Sequence, residues 1–293
     1  MTNAKIKLPN YGGQALIEGV LMRGKKNVSA AFRLPDGTIK TVSEPLKGIY
    51  TKGVFKIPFI RGILLLWDSL VLGMNYLTLS ANQQTKSDEK IEGSTLIFTV
   101  LISLLISVAI FFVAPAAISR WLGGVFGWKP IWINLLEGLI RLFLILIYLW
   151  AISLMPDIKR VFQYHGAEHK TINAFEAGST LTKEEVMKYP TQHPRCGTSF
   201  LITVVILSIL LFSLLGKLSL LWTIISRIVL IPVLAMLAYE YIRLMSRFLD
   251  SPIVKTLFWP NLVLQNLTAY QPSMDMLEVA ISAFKRMQEE EAK

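Results

Sequence analysis

The sequence predicts a mainly α-helical, polytopic membrane protein. We expect about four transmembrane helices, one re-entrant or interfacial helix and a small β-containing cytoplasmic head. Apolar residues make up 53% of the 293 positions and the mean hydropathy is +0.50, more than a soluble core requires. Most of these residues lie in runs of more than 20 positions, whereas the N-terminal region alternates apolar and polar residues.

Residues 1–57 form the predicted head. The segment NVSAAFRLPDGTIKTVSEPL alternates on both sides of a Pro-Asp-Gly turn, which is typical of a β-hairpin. Before it, GGQALIEGVLMRG contains four glycines that bracket Gln14, Glu18 and Arg23. This density of glycine predicts tight turns, or a close approach of the backbone to another group.

Residues 58–94 contain the interfacial helix and a linker. Within PFIRGILLLWDSLVLGMNYLTLS (58–80), Arg61, Asp68 and Asn75 recur every seven residues and form a thin polar stripe. If this helix crossed the membrane, the ten Lys and Arg residues of 1–57 would be exported, against the positive-inside rule. We therefore expect a re-entrant or interfacial helix.

Four later apolar runs are long enough to cross a bilayer at about 1.5 Å per residue. They are 95–118 and 131–155, which form the unit 95–155, and 199–222 and 223–245, which form the unit 199–245.

The positions of the cations predict the orientation of these spans. Of the 30 Lys and Arg residues, 24 lie in 1–94, in the loop 156–198 and in the tail 246–293. The positive-inside rule makes these segments cytoplasmic, together with both termini. No signal-peptide pattern precedes the first run, so we expect the first span to direct insertion into the cytoplasmic membrane.

The tail has a Trp-Pro-rich stretch followed by a short amphipathic helix. Ser273 is its expected N-cap. Apolar residues at three- and four-residue spacing form the predicted buried face: Leu277, Ala280, Ile281, Phe284 and Met287.

All three histidines and the only cysteine fall within 32 residues of the predicted cytoplasmic loop. In HGAEHK, His165 and His169 are four residues apart, so on a helix both can bind one ion. With Glu168 this is the HxxEH order, in which two imidazoles bind zinc and the carboxylate acts as general base. His193 and Cys196, in HPRCGTSF, are the remaining expected ligands.

Imidazole and thiolate suit Zn²⁺ or Fe²⁺ better than Mg²⁺, so we expect a divalent metal, with zinc favoured. The sequence is consistent with two forms of the site. A closed site with all four ligands would be structural, and an open site with Glu168 as base would be catalytic. Histidines that only hydrogen-bond backbone or lipid phosphate are the alternative without metal. Expected supporting residues are Glu176, Glu240, Glu18, Gln14 and Arg195.

Charged residues within the apolar runs have separate predicted roles. Glu137 and Arg141 are four residues apart and are expected to neutralise each other as a structural pair. Lys217 and Arg227 are expected to reach the outer headgroups. The position of Glu240 is equally consistent with a role in the metal site and with a carboxylate at the membrane surface beside Arg243.

Before the first span, Lys and Arg outnumber Asp and Glu by 13 to 7. Attraction to anionic lipid headgroups of the bilayer explains this excess, and docking to a ribosome at a translocon is the sharper alternative. No base-stacking module is visible, and we expect no DNA partner. The expected basic surface consists of Lys25, Lys26, Arg33, Lys40, Lys47, Lys52 and Lys56.

Together, GGQALIEGVLMRG, HGAEHKTINAFEAG, HPRCGTSF and LVLQNLTAYQPSMDMLEVA resemble the YqhQ-like family of bacterial membrane proteins. The similarity runs over nearly the whole chain in the same order. This family has no known function, and its members are often labelled predicted metal-dependent enzymes. The resemblance implies a polytopic protein with a cytoplasmic metal site. Family members read closer to LTTREP where this chain has LTAYQP at 267–272, so the polar contacts of the tail carry over less securely.

Two hypotheses of function follow. The first is a metal-dependent hydrolase at the cytoplasmic bilayer surface, in which Glu168 activates water. The second is a non-enzymatic biogenesis factor that contacts the ribosome or translocon, with the His/Cys cluster only bracing its loop. A transporter is disfavoured, because few acidic groups lie mid-membrane and no discontinuous pair of helices repeats.

Overall fold

A computed structural model describes residues 11–46, 57–84, 93–216 and 218–293. The head contains one antiparallel sheet in chain order. Its strands are β1 (Gly12–Leu16), β2 (Gly19–Arg23), β3 (Asn27–Arg33) and β4 (Ile39–Pro45). The predicted hairpin about the Pro-Asp-Gly turn is confirmed, with Arg33 opposite Ile39 and Gly37 at a φ of 87°. The glycine-rich segment is a second hairpin, with Glu18 at a φ of 51° in its two-residue turn.

The sheet is buried on both faces because successive side chains of a strand point to opposite sides. Val20, Met22 and Ala31 pack into one core with the helices that follow the spans. Leu21 and Phe32 lie in a second core on the other face. The head is therefore a sheet between two layers of helix.

Helix α1 (Ile60–Gln84) covers the second face of the sheet. The Tyr76 hydroxyl donates a hydrogen bond of 2.7 Å to Glu44, and the Ser80 hydroxyl accepts one from the backbone of Ile17. Asp68 forms an ion pair with Arg23 of β2. The second half of α1 is thus attached to the head, although the whole helix is long and apolar enough to cross a membrane.

The remaining apolar segments form a helical bundle. Its helices are α2 (Gly93–Val108), α3 (Ala114–Val125), α4 (Pro130–Ser153), α7 (Thr198–Ser213), α8 (Leu220–Val229) and α9 (Ile231–Met245), with a π-helical turn at Ala109–Val113 between α2 and α3. Among the described residues, three helices could cross a membrane by length and composition, or four if α8 and α9 are one span bent by 43°.

In the first unit α4 closely matches the run 131–155, but the first span continues beyond its predicted end at 118 as far as Val125. In the second unit neither predicted run is one helix. The run 199–222 is not one helix, because α7 ends at Ser213 and Gly216 adopts a left-handed φ of 65°. The run 223–245 is broken between α8 and α9, where Pro232 lacks the N–H that a continuous helix needs. Apolar periodicity alone did not reveal either break.

The head is completed by α5 (Pro156–Glu176), α6 (Lys183–Met187) and α11 (Met274–Glu291). The apolar helix α10 (Pro252–Leu264) packs against α7 and continues into a 3₁₀ turn (Gln265–Leu267). The predicted tail helix is confirmed in α11: Ser273 caps it, and all five residues of its expected apolar face are buried against α5 and the sheet. Glu291 also accepts a 2.8 Å hydrogen bond from the backbone of Asn27, which ties the last turn of α11 to the β2–β3 turn.

The predicted Glu137–Arg141 pair is present at 2.7 Å, but it has a third member. Arg227 was expected at the headgroups and is instead buried, 2.6 Å from Glu137. The buried carboxylate of Glu137 attracts the guanidinium of Arg227 into the bundle. With Arg141 as its only partner, this carboxylate would have hydrogen-bond acceptor positions left unfilled. Lys217 lies outside the described residues.

Candidate metal centre

Three predicted ligands meet at one point of the head. His165 and His169 lie one turn apart on α5, which Pro156 begins at its first helical position. Cys196 lies in the turn before α7. The ligand atoms of these three side chains are all within 4.8 Å of one another, and Sγ of Cys196 is 3.2 Å from Nε2 of His165. The spacing in sequence places the two histidines on one face of α5, whereas the tertiary fold brings the Cys196 thiol next to them.

Both imidazoles are held by backbone carbonyls. Nδ1 of His165 is 2.7 Å from the carbonyl oxygen of Thr268, and Nδ1 of His169 is 2.5 Å from that of Thr191. A carbonyl only accepts, so each Nδ1 carries the proton and donates it. Nε2 is therefore the nitrogen that faces Cys196, and a neutral ring offers the Nε2 lone pair to a metal ion. Such outer partners commonly orient the histidines of metal sites.

The charges of the cluster also favour metal binding. Burial by itself raises the pKa of the Cys196 thiol, but the charge and hydrogen bonds of His165 and His169 bring it well below its ordinary value. Burial likewise lowers the pKa of His165, and Cys196 and Glu168 more than reverse that effect. These two shifts favour a thiolate beside an imidazolium in the metal-free protein, and thiolate is the form that binds metal.

Glu168 lies beside the three ligands, as the HxxEH spacing predicts. Its Oε2 is 3.9 Å from Nε2 of His165, and its side chain is 6% exposed. Strand β1 passes directly over it: a Cβ placed on Gly13 would come within 2.9 Å of the Glu168 carboxylate. Gly13 therefore permits the close backbone approach that the glycine-rich segment predicts.

His193 does not join this group and corrects the expectation of four converging ligands. Its ring lies 5.7 Å from that of His169, but its Nε2 faces Glu176 at 3.4 Å. Arg195 forms an ion pair with the same carboxylate. Because Arg195 holds Glu176, that carboxylate attracts His193 away from the ligand group. Gln265 fixes the peptide of His193 with hydrogen bonds of 2.8 and 2.9 Å.

The tail supplies contacts that the analysis of the sequence did not assign. Tyr270 crosses α5 at Gly166 and donates a 2.9 Å backbone hydrogen bond to Phe162, which places Thr268 on His165. A side chain at Gly166 would overlap the Tyr270 carbonyl. A contact made by a backbone carbonyl does not depend on the residue type, so the sequence does not identify it. The resemblance of the tail segment to the family was the only feature of the sequence that pointed to these contacts.

The other predicted supporting residues lie away from the ligands. Glu18 accepts hydrogen bonds of 2.5 and 2.6 Å from Arg160 and fastens the β1–β2 turn to α5. The Gln14 side chain packs against Gly73 of α1. Glu240 forms an ion pair with Arg61, so the structure gives it a partner on α1 that neither of its two expected roles included.

Four members of the expected basic surface are described. Lys25, Lys26 and Lys40 are exposed on the head. Arg33 is instead engaged with the backbone of Asp275 and, at 3.1 Å, with the carboxylate of Glu278. The remaining three, Lys47, Lys52 and Lys56, lie outside the described residues.

The three ligands fit a zinc ion by their chemistry. Two neutral imidazole nitrogens and one thiolate are preferred zinc donors, and three protein ligands leave one coordination position open. His165 is the member of the group that reaches the surface, with 14% of its side chain exposed. The arrangement can hold a metal and keep a carboxylate beside it.

Comparison with known proteins gives consistent matches. The family model described as "Protein of unknown function (DUF1385)" matches residues 57–290. The "Uncharacterized protein YqhQ" of Bacillus subtilis (strain 168) is 34% identical over 294 aligned positions, which cover 95% of this chain and 92% of that protein. No solved structure matches the chain.

Proposed function

The chain belongs to the DUF1385 family, which includes YqhQ, and we propose that it is a zinc-dependent hydrolase acting at the cytoplasmic surface of a bacterial membrane. The observation that carries this proposal is the group of His165, His169 and Cys196 with Glu168 beside it. A hydrolytic centre needs an open coordination position and a base within reach of it.

The position of His193 favours the open form over the closed one. A closed structural site requires a fourth ligand, and the nearest remaining imidazole faces Glu176 instead. Glu168 is the carboxylate that approaches the ligand atoms, through His165 at 3.9 Å. This proximity supports Glu168 as the proposed proton acceptor during hydrolysis.

The chemistry divides between the ion and the chain. Zinc, when bound, supplies the Lewis acidity that makes water a nucleophile near neutral pH. His165 and His169 present Nε2 because their Nδ1 protons are held by carbonyls, and Glu168 stays beside them because β1 covers it. Cys196 lies two residues before the apolar helix α7, and a centre at the end of such a helix suits an ester or amide in the headgroup region as substrate.

Cobalt substitution tests the open position without knowledge of the substrate. The Co²⁺ form is titrated with acetohydroxamate while its visible absorption is recorded. We expect the spectrum to change at a stoichiometry of about one, because a fourth position is free. A spectrum that stays constant up to millimolar hydroxamate contradicts the open site. Glu168→Gln, which keeps all three ligands, is expected to bind Co²⁺ normally and to abolish turnover of any substrate later identified.

We also propose the membrane arrangement predicted by the cations, with both termini cytoplasmic and α1 interfacial. Trp67, Leu70 and Val71 expose an apolar surface on α1, whereas Asp68 and Tyr76 face the head. This separation of faces is what an interfacial helix needs. Cys196 is buried, so cysteines introduced singly at Lys129 and Lys285 report topology by labelling with an impermeant maleimide. Labelling of intact cells at Lys285 would contradict the arrangement.

The exposed lysines support a second candidate function, docking of the head to a ribosome at the translocon. Lys25 and Lys26 are exposed in the β2–β3 turn, and Lys40 is exposed near the start of β4. Solvated cations of this kind attract phosphate. Purification at low salt is expected to retain ribosomal RNA with the wild type and to lose it when these lysines are replaced by glutamine. Binding to anionic vesicles in place of ribosomes would assign the same lysines to the lipid surface.

A further inference from the structure

The end of the bundle opposite α5 has the features of a membrane interface. Helix α4 is about 36 Å long at 1.5 Å per residue, so its first residues lie far from the metal centre. Large amphipathic rings collect at the headgroup level of membranes. Exposed tryptophans of this kind surround the α3–α4 connection and the start of α8: Trp121, Trp128, Trp132 and Trp222.

A buried cluster inside this end carries excess positive charge. Glu137 accepts hydrogen bonds from both Arg141 and Arg227, and each of these side chains is at most 3% exposed. Guanidinium remains protonated in proteins, so one carboxylate leaves one positive charge unbalanced. The neighbours Asn134 and Ser208 are neutral.

No other carboxylate of the described apolar helices balances this charge. Asp68 of α1 pairs with Arg23, and Glu240 of α9 pairs with Arg61. An unbalanced charge is costly within a bilayer unless a counter-ion or water reaches it. The cluster therefore favours an anion nearby.

A third arginine, Arg120, lies at an open cavity and contacts the helix that carries Arg227. Arg120 donates a 3.0 Å hydrogen bond to Thr223, which lies one turn before Arg227 on the same face of α8. This cavity is a widely open depression along one face of α3, with a volume of about 510 Å³ and an otherwise apolar lining. Its lining residues are Ala117, Arg120, Trp121, Gly124 and Val125.

We propose that this cavity binds the phosphate group of an anionic phospholipid. Arg120 contacts the phosphodiester, because guanidinium matches phosphate oxygens in pairs. The apolar wall beside Trp121 accommodates the glycerol and the first acyl carbons. The excess charge of Arg141, Arg227 and Glu137 selects a headgroup with net negative charge over a zwitterionic one. This site is separate from the metal centre and stands without it.

Native mass spectrometry of delipidated protein tests the proposal with defined lipids. Phosphatidylglycerol and phosphatidylcholine are added separately, and the fraction of protein carrying one lipid is measured. We expect the wild type to prefer phosphatidylglycerol by about tenfold, because the choline group of phosphatidylcholine adds a positive charge beside the positively charged cluster. Arg120→Gln is expected to lower the retained fraction of both lipids, because both carry the phosphodiester that Arg120 contacts. Lys129→Gln removes the same charge at the same end outside the cavity and is expected to retain both lipids as the wild type does.

Three results would overturn the proposal. They are equal retention of the two lipids by the wild type, lipid retention unchanged in Arg120→Gln, and an equal loss of lipid in Lys129→Gln. Inorganic phosphate serves as the competing free anion, and its binding in place of lipid would reject the lipid as ligand. Arg227→Met leaves a neutral Glu137–Arg141 pair, so we expect it to weaken selectivity while Arg120 still binds phosphate. If Arg227→Met does not fold, Arg120→Gln at the cavity surface still decides the matter.

Discussion

Replacing Gly166 with alanine perturbs the metal centre without changing any ligand. A Cβ at this position falls well inside the 3.0 Å limit of real contacts with the carbonyl oxygen of Tyr270, and lies 3.0 Å from the carbonyl carbon. Both atoms belong to backbone, so the tail must retreat by about 1 Å. Thr268, two residues earlier, moves with it.

The expected magnitude follows from the contact that this movement breaks. The 2.7 Å hydrogen bond between Nδ1 of His165 and the Thr268 carbonyl lengthens beyond a useful distance. Loss of an outer partner of a ligating histidine typically weakens metal binding by about 10- to 100-fold. Alanine is otherwise favoured over glycine in a helix by about 1 kcal/mol, so helix propensity works against this loss.

Competition with a chromophoric chelator measures the zinc affinity of Gly166→Ala. Gly197→Ala is the matched control, since Gly197 adjoins Cys196 and a Cβ there meets nothing within 4 Å. We expect the control to bind zinc as the wild type does. An unchanged affinity in Gly166→Ala, or an equal loss in the control, would refute the role assigned to the tail.

Three further predictions test the bundle, the head and the thiol. Glu137→Gln leaves two buried guanidinium groups without a carboxylate and is expected to lower the free energy of unfolding by about 3–5 kcal/mol. The control Glu278→Gln removes a carboxylate from a solvated ion pair and is expected to lower it by less than about 1 kcal/mol. Similar melting temperatures of the two variants in detergent would contradict this difference. Phe284→Ala opens a cavity in the core between α11, α5 and the sheet and is expected to cost about 3–5 kcal/mol, so a chemical unfolding midpoint equal to wild type would count against that packing. Burial alone raises the pKa of the Cys196 thiol, but His165 and His169 lower it well below the ordinary thiol value. The metal-free protein is therefore expected to keep a thiolate at pH values where a free thiol is protonated. As the pH falls through the lowered pKa, the thiolate is protonated and its contribution to the stability of the folded protein is lost. Ultraviolet thiolate absorption at neutral pH is expected to fall in His165→Ala, because His165 lowers the pKa of the thiol more than His169 does, and absorption equal to wild type would contradict the pairing.

Local patterns predicted the local structure well. The Pro-Asp-Gly hairpin, the amphipathic face of α11 and the helical spacing of His165 and His169 all depend on neighbours in sequence, and each is present. The breaks at Gly216 and Pro232 show where this reasoning fails, since long apolar runs hide a chain reversal or a bend.

Long-range partners account for the remaining differences. Arg227 points inward because Glu137 lies on another helix, and His193 turns aside because Arg195 holds Glu176 beside it. In both cases the carboxylate that sets the orientation is distant in sequence from the side chain that it attracts. The same reasoning explains Thr268, whose carbonyl orients His165 across a separation of 103 residues.

Zinc content of the purified protein tests the central claim most directly. Elemental analysis of wild type, His165→Ala and His193→Gln compares a proposed ligand with the histidine outside the ligand group. We predict about one zinc per chain in the wild type and in His193→Gln, and almost none in His165→Ala. A wild type without stoichiometric metal, or an equal loss in the two variants, would contradict the three-ligand centre.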